Sequence, residues 1–244
     1  MPLASVSPKA PDLVVIVPSR GRPRSAVELI AAFAETCEAD TRLWFAVDAD
    51  DPTLEAYSKA VLGTGASVMI CEATPTGMVA ALNASVRDWL QSADAPTAIG
   101  FMGDDHRPRT RGWDAAYLTA LRSLPGFVYG NDLVQGVRLP TQVAISTPVV
   151  RALGHMAPPT LRHMYVDNYW LRLGQAAACI TYLRNVVVEH LHPVAGTAAW
   201  DAGYRRVNAR EVYDQDRKAF EAYMSEHGHR ETLAVIQAAA AVPK

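Results

Sequence analysis

Apolar residues fall along this chain in short blocks separated by polar turns. Leu13-Val14-Val15-Ile16-Val17 is a continuous run that stops at Pro18. A run without polar alternation reads as a strand buried on both faces, as parallel strands are. Leu43–Val47 and Ser67–Cys71 read as the second and third strands, and the run from Ala98 to Met102 as a fourth, buried one. Between the first two, Val27, Leu29, Ile30 and Phe33 recur at near-helical spacing and predict a helix from about Ser25 to Cys37. Pro52 suits the first turn of a second helix, with Asp51 as its cap. Met78, Val79, Leu82, Val86, Trp89 and Leu90 line one side of a third helix, from Thr76 to about Leu90. The first hundred residues thus read β-α-β-α-β-α-β, which implies a mostly parallel sheet flanked by helices.

The second half is less regular. His106 to Gly112 reads as a basic loop, and Arg107, Arg109 and Arg111 as surface charge. A helix is expected from Trp113 to about Leu124, strands at Phe127–Asp132 and Gln142–Ser146, and a helical turn at Pro148–Leu153. After a loop over 155–163, a helix starts at Val166 with Asp167 in its first turn. The stretch from Ile180 to His192 holds a strand that ends Glu189-His190-Leu191-His192-Pro193. Residues 194–208 read as loop and about 209–241 as helix. The expected division is a flexible tail over 1–12, an α/β domain over 13–208, and a helical extension of that domain over 209–244.

With 244 residues and 50% hydrophobic content, the chain is large enough for a substantial core. A net charge of -2 gives no long-range pull toward nucleic acid or anionic membranes. Cys37, Cys71 and Cys179 form no CxxC pair, as suits a reducing compartment. The opening MPLASVSPKAPD lacks the apolar core of a signal peptide, and no apolar run is long enough to span a bilayer. A soluble, cytoplasmic protein is expected.

The chemistry gathers at strand ends. The fourth strand stops at Gly103-Asp104-Asp105-His106, and the second at Val47-Asp48-Ala49-Asp50. In open α/β sheets, ligands bind outside the carboxyl ends of the strands. Two carboxylates there suit a divalent cation such as Mg²⁺ or Mn²⁺. His190 and His192, at i and i+2, share a face if the strand runs through both, and either completes such a shell. His106 is the weaker candidate, since its direction depends on the turn. Asp48 suits a base N–H or a ribose hydroxyl. Arg20, Arg22 and Arg24 suit phosphate oxygens. Asp167 suits a general base, with Tyr169 and Trp170 beside it as acceptor-site candidates.

In this order, these segments resemble the GT-A fold of nucleotide-sugar glycosyltransferases, the family-2-like enzymes most closely. The segments are Val17-Pro18-Ser19-Arg20, Val47-Asp48-Ala49-Asp50, Gly77 to Asn83, Gly103 to His106, Val166-Asp167-Asn168 and Glu189 to His192. Two of them depart from the family pattern: the metal motif reads Asp-Asp-His, and the base motif carries one acid where two are common. The resemblance implies a Rossmann-like GT-A domain with a helical C-terminal tail. It implies a hexosyltransferase-type enzyme that moves sugar from a nucleoside diphosphate, UDP foremost, to an acceptor hydroxyl with inversion. Pro18, Ser19, Arg20, Asp48, Gly77 and Asp104 would hold the donor. Asp105 with His190 or His192 would hold Mn²⁺ or Mg²⁺, Asp104 touching metal or ribose, and Asp167 would be the base. The acceptor stays open: small molecule, glycan, protein or modified base. Two other readings compete, a nucleotidyltransferase making a nucleotide sugar and a non-catalytic nucleotide-binding module. The poverty of glycine in Ser19-Arg20-Gly21-Arg22 weighs against the first.

Overall fold

A computed structural model describes residues 10–72, 77–87, 89–192, 196 and 209–242. Strand β1 (Leu13–Ser19) is followed by α1 (Pro23–Thr36), β2 (Thr41–Asp48), α2 (Leu54–Val61), β3 (Ser67–Cys71), α3 (Met78–Val86) and β4 (Ala98–Phe101). Then come β5 (His106–Pro108), α4 (Trp113–Ser123), β6 (Phe127–Asn131), β7 (Val143–Ser146), α5 (Thr147–Leu153), α6 (Val166–Ala176), β8 (Ile180–His190) and α7 (Arg210–Ala240).

The sheet runs in the order β3-β2-β1-β4-β7-β6-β8-β5. The β1–β2, β2–β3, β1–β4 and β6–β8 pairings are parallel, and β4–β7, β6–β7 and β5–β8 are antiparallel. Side chains alternate across the sheet as the pleat requires. Leu13, Val15 and Val17 pack with α1, α2 and α4, while Val14 and Ile16 pack with α3, α5, α6 and α7. Both faces are therefore covered, which is why β1 needs an unbroken apolar run. The chain leaves β1 toward β2 and β3, then returns to lay β4 on the other side of β1. That reversal opens a crevice at the carboxyl ends of β1 and β4.

Several expectations are corrected. Helix α3 stops at Val86, and Trp89 instead packs from the following turn against Trp44, ring centroids 4.4 Å apart. Its expected start at Thr76 lies outside the described residues, as do 194, 195 and 197–208. Thr53, not Asp51, occupies the cap position of α2. The Asp51 carboxylate accepts the Thr53 N–H at 2.7 Å and the Gly21 N–H at 2.8 Å, tying the end of β2 to the β1–α1 loop. His106–Pro108 is an edge strand rather than a loop. Arg107 is buried, not surface charge: it reaches the carbonyls of Asp104 and His106 and the Glu28 carboxylate. Strand β8 ends at His190, so His192 lies past the strand and the two histidines share no strand face. No described helix is long and apolar enough to cross a membrane.

Candidate active site

The crevice is a cleft of about 680 Å³, and all ten site positions expected from the sequence line it. They arrive from β1, β2, the start of α3, the turn after β4, the start of α6 and the end of β8. No two neighbouring elements would suffice.

The turn after β4 carries the densest chemistry. Asp105, His106 and His190 place one ligand atom each within 4.8 Å of one another. His106 Nδ1 lies 3.3 Å from Asp105 Oδ1, and His190 Nε2 lies 3.5 Å from Asp105 Oδ2. Two contacts hold the turn against β8. The Leu191 N–H donates to the Asp105 carbonyl at 2.9 Å, and His106 pairs in register with His190. Gly103 is required here, because a Cβ at that position would collide with Asp105 Oδ1. Burial raises the pKa of the Asp105 carboxyl, but the neighbouring His106 and His190 outweigh it and hold the group well below the usual range. Burial also lowers His106, whereas in His190 the bond to Asp105 outweighs burial and raises it. One carboxylate oxygen and two imidazole nitrogens form a donor set that suits Mn²⁺ and other first-row divalent cations. His192 lines the same cleft, with its ring 5.0 Å from that of His190, outside this three-residue cluster.

Asp104 does different work. Its Oδ2 accepts the Ser19 hydroxyl at 2.5 Å and its Oδ1 the Arg22 guanidinium at 3.2 Å. Ser19 Oγ in turn lies 2.6 Å from the Tyr57 hydroxyl, which accepts the Arg22 backbone N–H at 2.8 Å. Because Ser19 gives its hydrogen to Asp104, Tyr57 must give its own to Ser19. This closed set fixes the β1–α1 loop against the turn after β4. Burial, then the charge of Asp105, raises the Asp104 carboxyl above the usual range. On the other side of the cleft, Arg20 grips Asp50 through two nitrogens, at 2.5 and 3.1 Å, and Asp48 at 3.0 Å. The fork expected to face phosphate is filled by carboxylates from the end of β2. Asp48 is hydrogen-bonded only through Oδ2 among the described residues.

Asp167 sits in the first turn of α6, its Oδ1 accepting the Asn168 N–H at 2.8 Å. Burial pushes its carboxyl up to about 6. A helix N-terminus opposes that by about 0.3–1 kcal/mol, less than one pH unit at about 1.36 kcal/mol per unit, so burial wins. The loop before it is anchored from α7. Asp216, 1% exposed, accepts the backbone N–H groups of Arg162, His163 and Met164 at 3.1, 2.8 and 2.7 Å. Tyr165 then adopts φ 67°, a left-handed conformation that is strained for a tyrosine. Its ring is held by Phe220 and Tyr213 of α7, at 5.4 and 5.1 Å.

Trp170 lines the cleft, as its position beside Asp167 suggested, but Tyr169 does not. Tyr169 turns into the core and donates to Glu231 at 2.9 Å. Sequence reasoning undervalued His106 and missed Tyr57, Thr141 and Asp216. The Asp-Asp-His triplet was a signal for the first. The others carry no local signal, since each acts on residues far away in the chain.

No family profile matches the sequence, nor does any curated protein. Solved structures do match in shape. A mannosyltransferase from Pyrobaculum calidifontis, in complex with GDP-Man and Mn²⁺, superposes with a TM-score of 0.60 at 15% identity, over 98% of this chain and 79% of that one. Glucosyl-3-phosphoglycerate synthase from Mycobacterium tuberculosis, with Mn²⁺, UDP and glucosyl-3-phosphoglycerate, gives 0.57 at 13% identity, over 89% and 80%. TarS from S. aureus, residues 1–349 with UDP, gives 0.57 at 12% identity, over 88% and 72%. The fold of this chain is therefore GT-A, as the resemblance implied.

Proposed function

We propose that this GT-A-fold chain is a divalent-metal-dependent glycosyltransferase that moves a sugar from a nucleoside diphosphate to an acceptor hydroxyl. The observation that carries the reading is the meeting of Asp105, His106 and His190 in the cleft that also holds Asp167. The structural neighbours that bind Mn²⁺ and nucleotide sugars support it.

Asp105, His106 and His190 would hold the divalent cation, and their one carboxylate and two imidazoles fit Mn²⁺ better than Mg²⁺. A cation bound there would supply positive charge against the leaving diphosphate. Asp48 accepts from the base or ribose of the nucleoside, UDP being the first donor to test. Pro18, Ser19, Arg20 and Gly77 shape the wall on which the donor lies. Asp104 acts through Ser19 and Arg22, setting that wall rather than ligating the metal. Asp167, with a carboxyl poised near 6, takes the proton of the attacking hydroxyl, so the sugar is transferred with inversion.

The test is melting temperature with UDP, GDP and their sugars, with and without Mn²⁺, followed by release of nucleoside diphosphate. A ligand bound only by the folded chain raises the melting temperature. Mn²⁺-dependent stabilisation and slow donor hydrolysis are expected. A chain that binds nucleotide but never hydrolyses donor is a binding module, and release of pyrophosphate from a nucleoside triphosphate marks a nucleotidyltransferase.

A further inference from the structure

We infer that Asp132 and Thr141 form the outer support of the cation centre, fixing which nitrogen of His106 faces the cation and where His190 stands. The inference rests on the metal reading above. It adds two residues that contribute no ligand atom to the cluster.

The His106 ring is fixed at both nitrogens. Its Nδ1 accepts the Gly103 N–H at 3.0 Å, so Nδ1 is unprotonated and the ring proton is on Nε2. Nδ1 is also the atom 3.3 Å from Asp105 Oδ1, so it is the ring nitrogen at the cluster, and its one lone pair, held here by the Gly103 N–H, is what a bound cation would take. Nε2 lies 3.5 Å from Thr141 Oγ1. Thr141 spends its own hydroxyl hydrogen on Asp132 Oδ2, at 2.8 Å, so its oxygen meets His106 as an acceptor. The order is imidazole N–H, hydroxyl, carboxylate. A ligating histidine ordinarily gives its second N–H to such a partner, which sets both tautomer and ring orientation.

Asp132 is itself firmly held, at 1% exposure. Its Oδ1 accepts the N–H groups of Val134, Gln135 and Gly136 at 3.0, 2.7 and 2.7 Å. Its backbone carbonyl accepts the His190 N–H at 3.1 Å. One residue, just after β6, thus reaches both histidines: His106 through the side chains, His190 through the main chain. The Oδ1 contacts close the turn over 132–136, and the Oδ2 bond ties Thr141 to it.

The experiment is titration of the full chain with Mn²⁺ by calorimetry. Thr141→Val keeps the side-chain shape and all three N–H bonds to Asp132, so folding is preserved. Its Mn²⁺ dissociation constant should rise about 10- to 100-fold, the chain still folding with a metal-free melting temperature lowered by the loss of one buried hydrogen bond, and Thr141→Ser should restore both. Asp132→Asn should weaken binding further. Its amide nitrogen must donate to Thr141 Oγ1, which frees the hydroxyl hydrogen to compete for His106 Nε2 against the Gly103 N–H that keeps the ring proton there. Nitrogen-15 spectra of the His106 ring read the tautomer directly. Wild-type Mn²⁺ affinity in Thr141→Val or in Asp132→Asn overturns the inference. Asp105→Ala separates the two claims. If it weakens Mn²⁺ binding and Thr141→Val does not, only the outer support fails; if neither does, the metal reading fails with it.

Discussion

His106 and His190 stand opposite one another across β5 and β8, their rings stacked 4.3 Å apart and 14° from parallel. Two imidazolium ions at that separation repel, so the pair cannot easily carry two charges. Burial keeps His106 on the neutral side, while Asp105 raises the pKa of His190. A cation bound at this pair must therefore displace a proton from His190 over the pH range just above its ordinary value. Mn²⁺ affinity should rise with pH through that range, with proton uptake by the buffer. Calorimetry in buffers of different ionisation enthalpy measures it. His190→Ala should abolish both the binding and its pH dependence.

Gly103→Ala should damage the metal centre without unfolding the chain. The added Cβ meets Asp105 Oδ1 head on and also reaches His106 Nδ1 at 3.1 Å. The Asp105 carboxylate must swing away to make room. The expected result is loss of at least about tenfold in Mn²⁺ affinity, as for other displaced partners of a metal site, with little change in melting temperature. Equal affinity would mean that Asp105 does not ligate.

Asp167→Asn should keep donor and Mn²⁺ binding and lose transfer by about 10²- to 10⁴-fold, the usual contribution of a general base. In the parent chain the rate should climb with pH and level off above about 6, where the carboxyl ionises. Stability carries the opposite sign. A carboxyl whose pKa is raised by folding holds its proton more tightly in the native state, so folding loses support as pH rises from the unfolded value of 3.8 to about 6. Asp167→Asn should then melt higher than the parent at pH 8 and at the parent temperature near pH 3.5. A variant that loses donor binding as fully as transfer would make Asp167 structural.

Asp216→Ala should strand three backbone N–H groups of the Arg162–Met164 loop. With partial rescue by water, the cost is about 3 kcal/mol, which lowers the melting temperature by roughly 6–12 °C in a chain of this size. Released from that anchor, Tyr165 is free to leave its strained backbone state and Asp167 loses its fixed position. Turnover should fall while Mn²⁺ affinity holds, because the candidate ligands lie on β5, β8 and the turn before β5. Thermal melts, calorimetry and single-turnover rates together check this.

Much of this protein could be read before any coordinates. Unbroken apolar runs dictated β1, β2 and β4, since only a strand covered on both faces tolerates them. The acids that end β2 and β4 followed as site candidates, because sheet topology collects strand ends. All ten expected site positions line the cleft for that reason. The second half was harder. His106–Pro108 looked like loop because three residues carry no period, and only the register with β8 makes them a strand.

Local pattern therefore determined the elements, the βα alternation and the strand ends at which chemistry could gather, because burial and turn geometry are written in neighbouring residues. Tertiary structure decided the partners. Whether Asp104 or Asp105 faces the histidines, whether Arg20 grips a phosphate or the acids that end β2, and whether Arg107 is buried depend on groups 28 to 85 positions away. Hydrogen bonds and ion pairs act over about 3 Å of space, and no spacing along a chain encodes a distance that only packing creates.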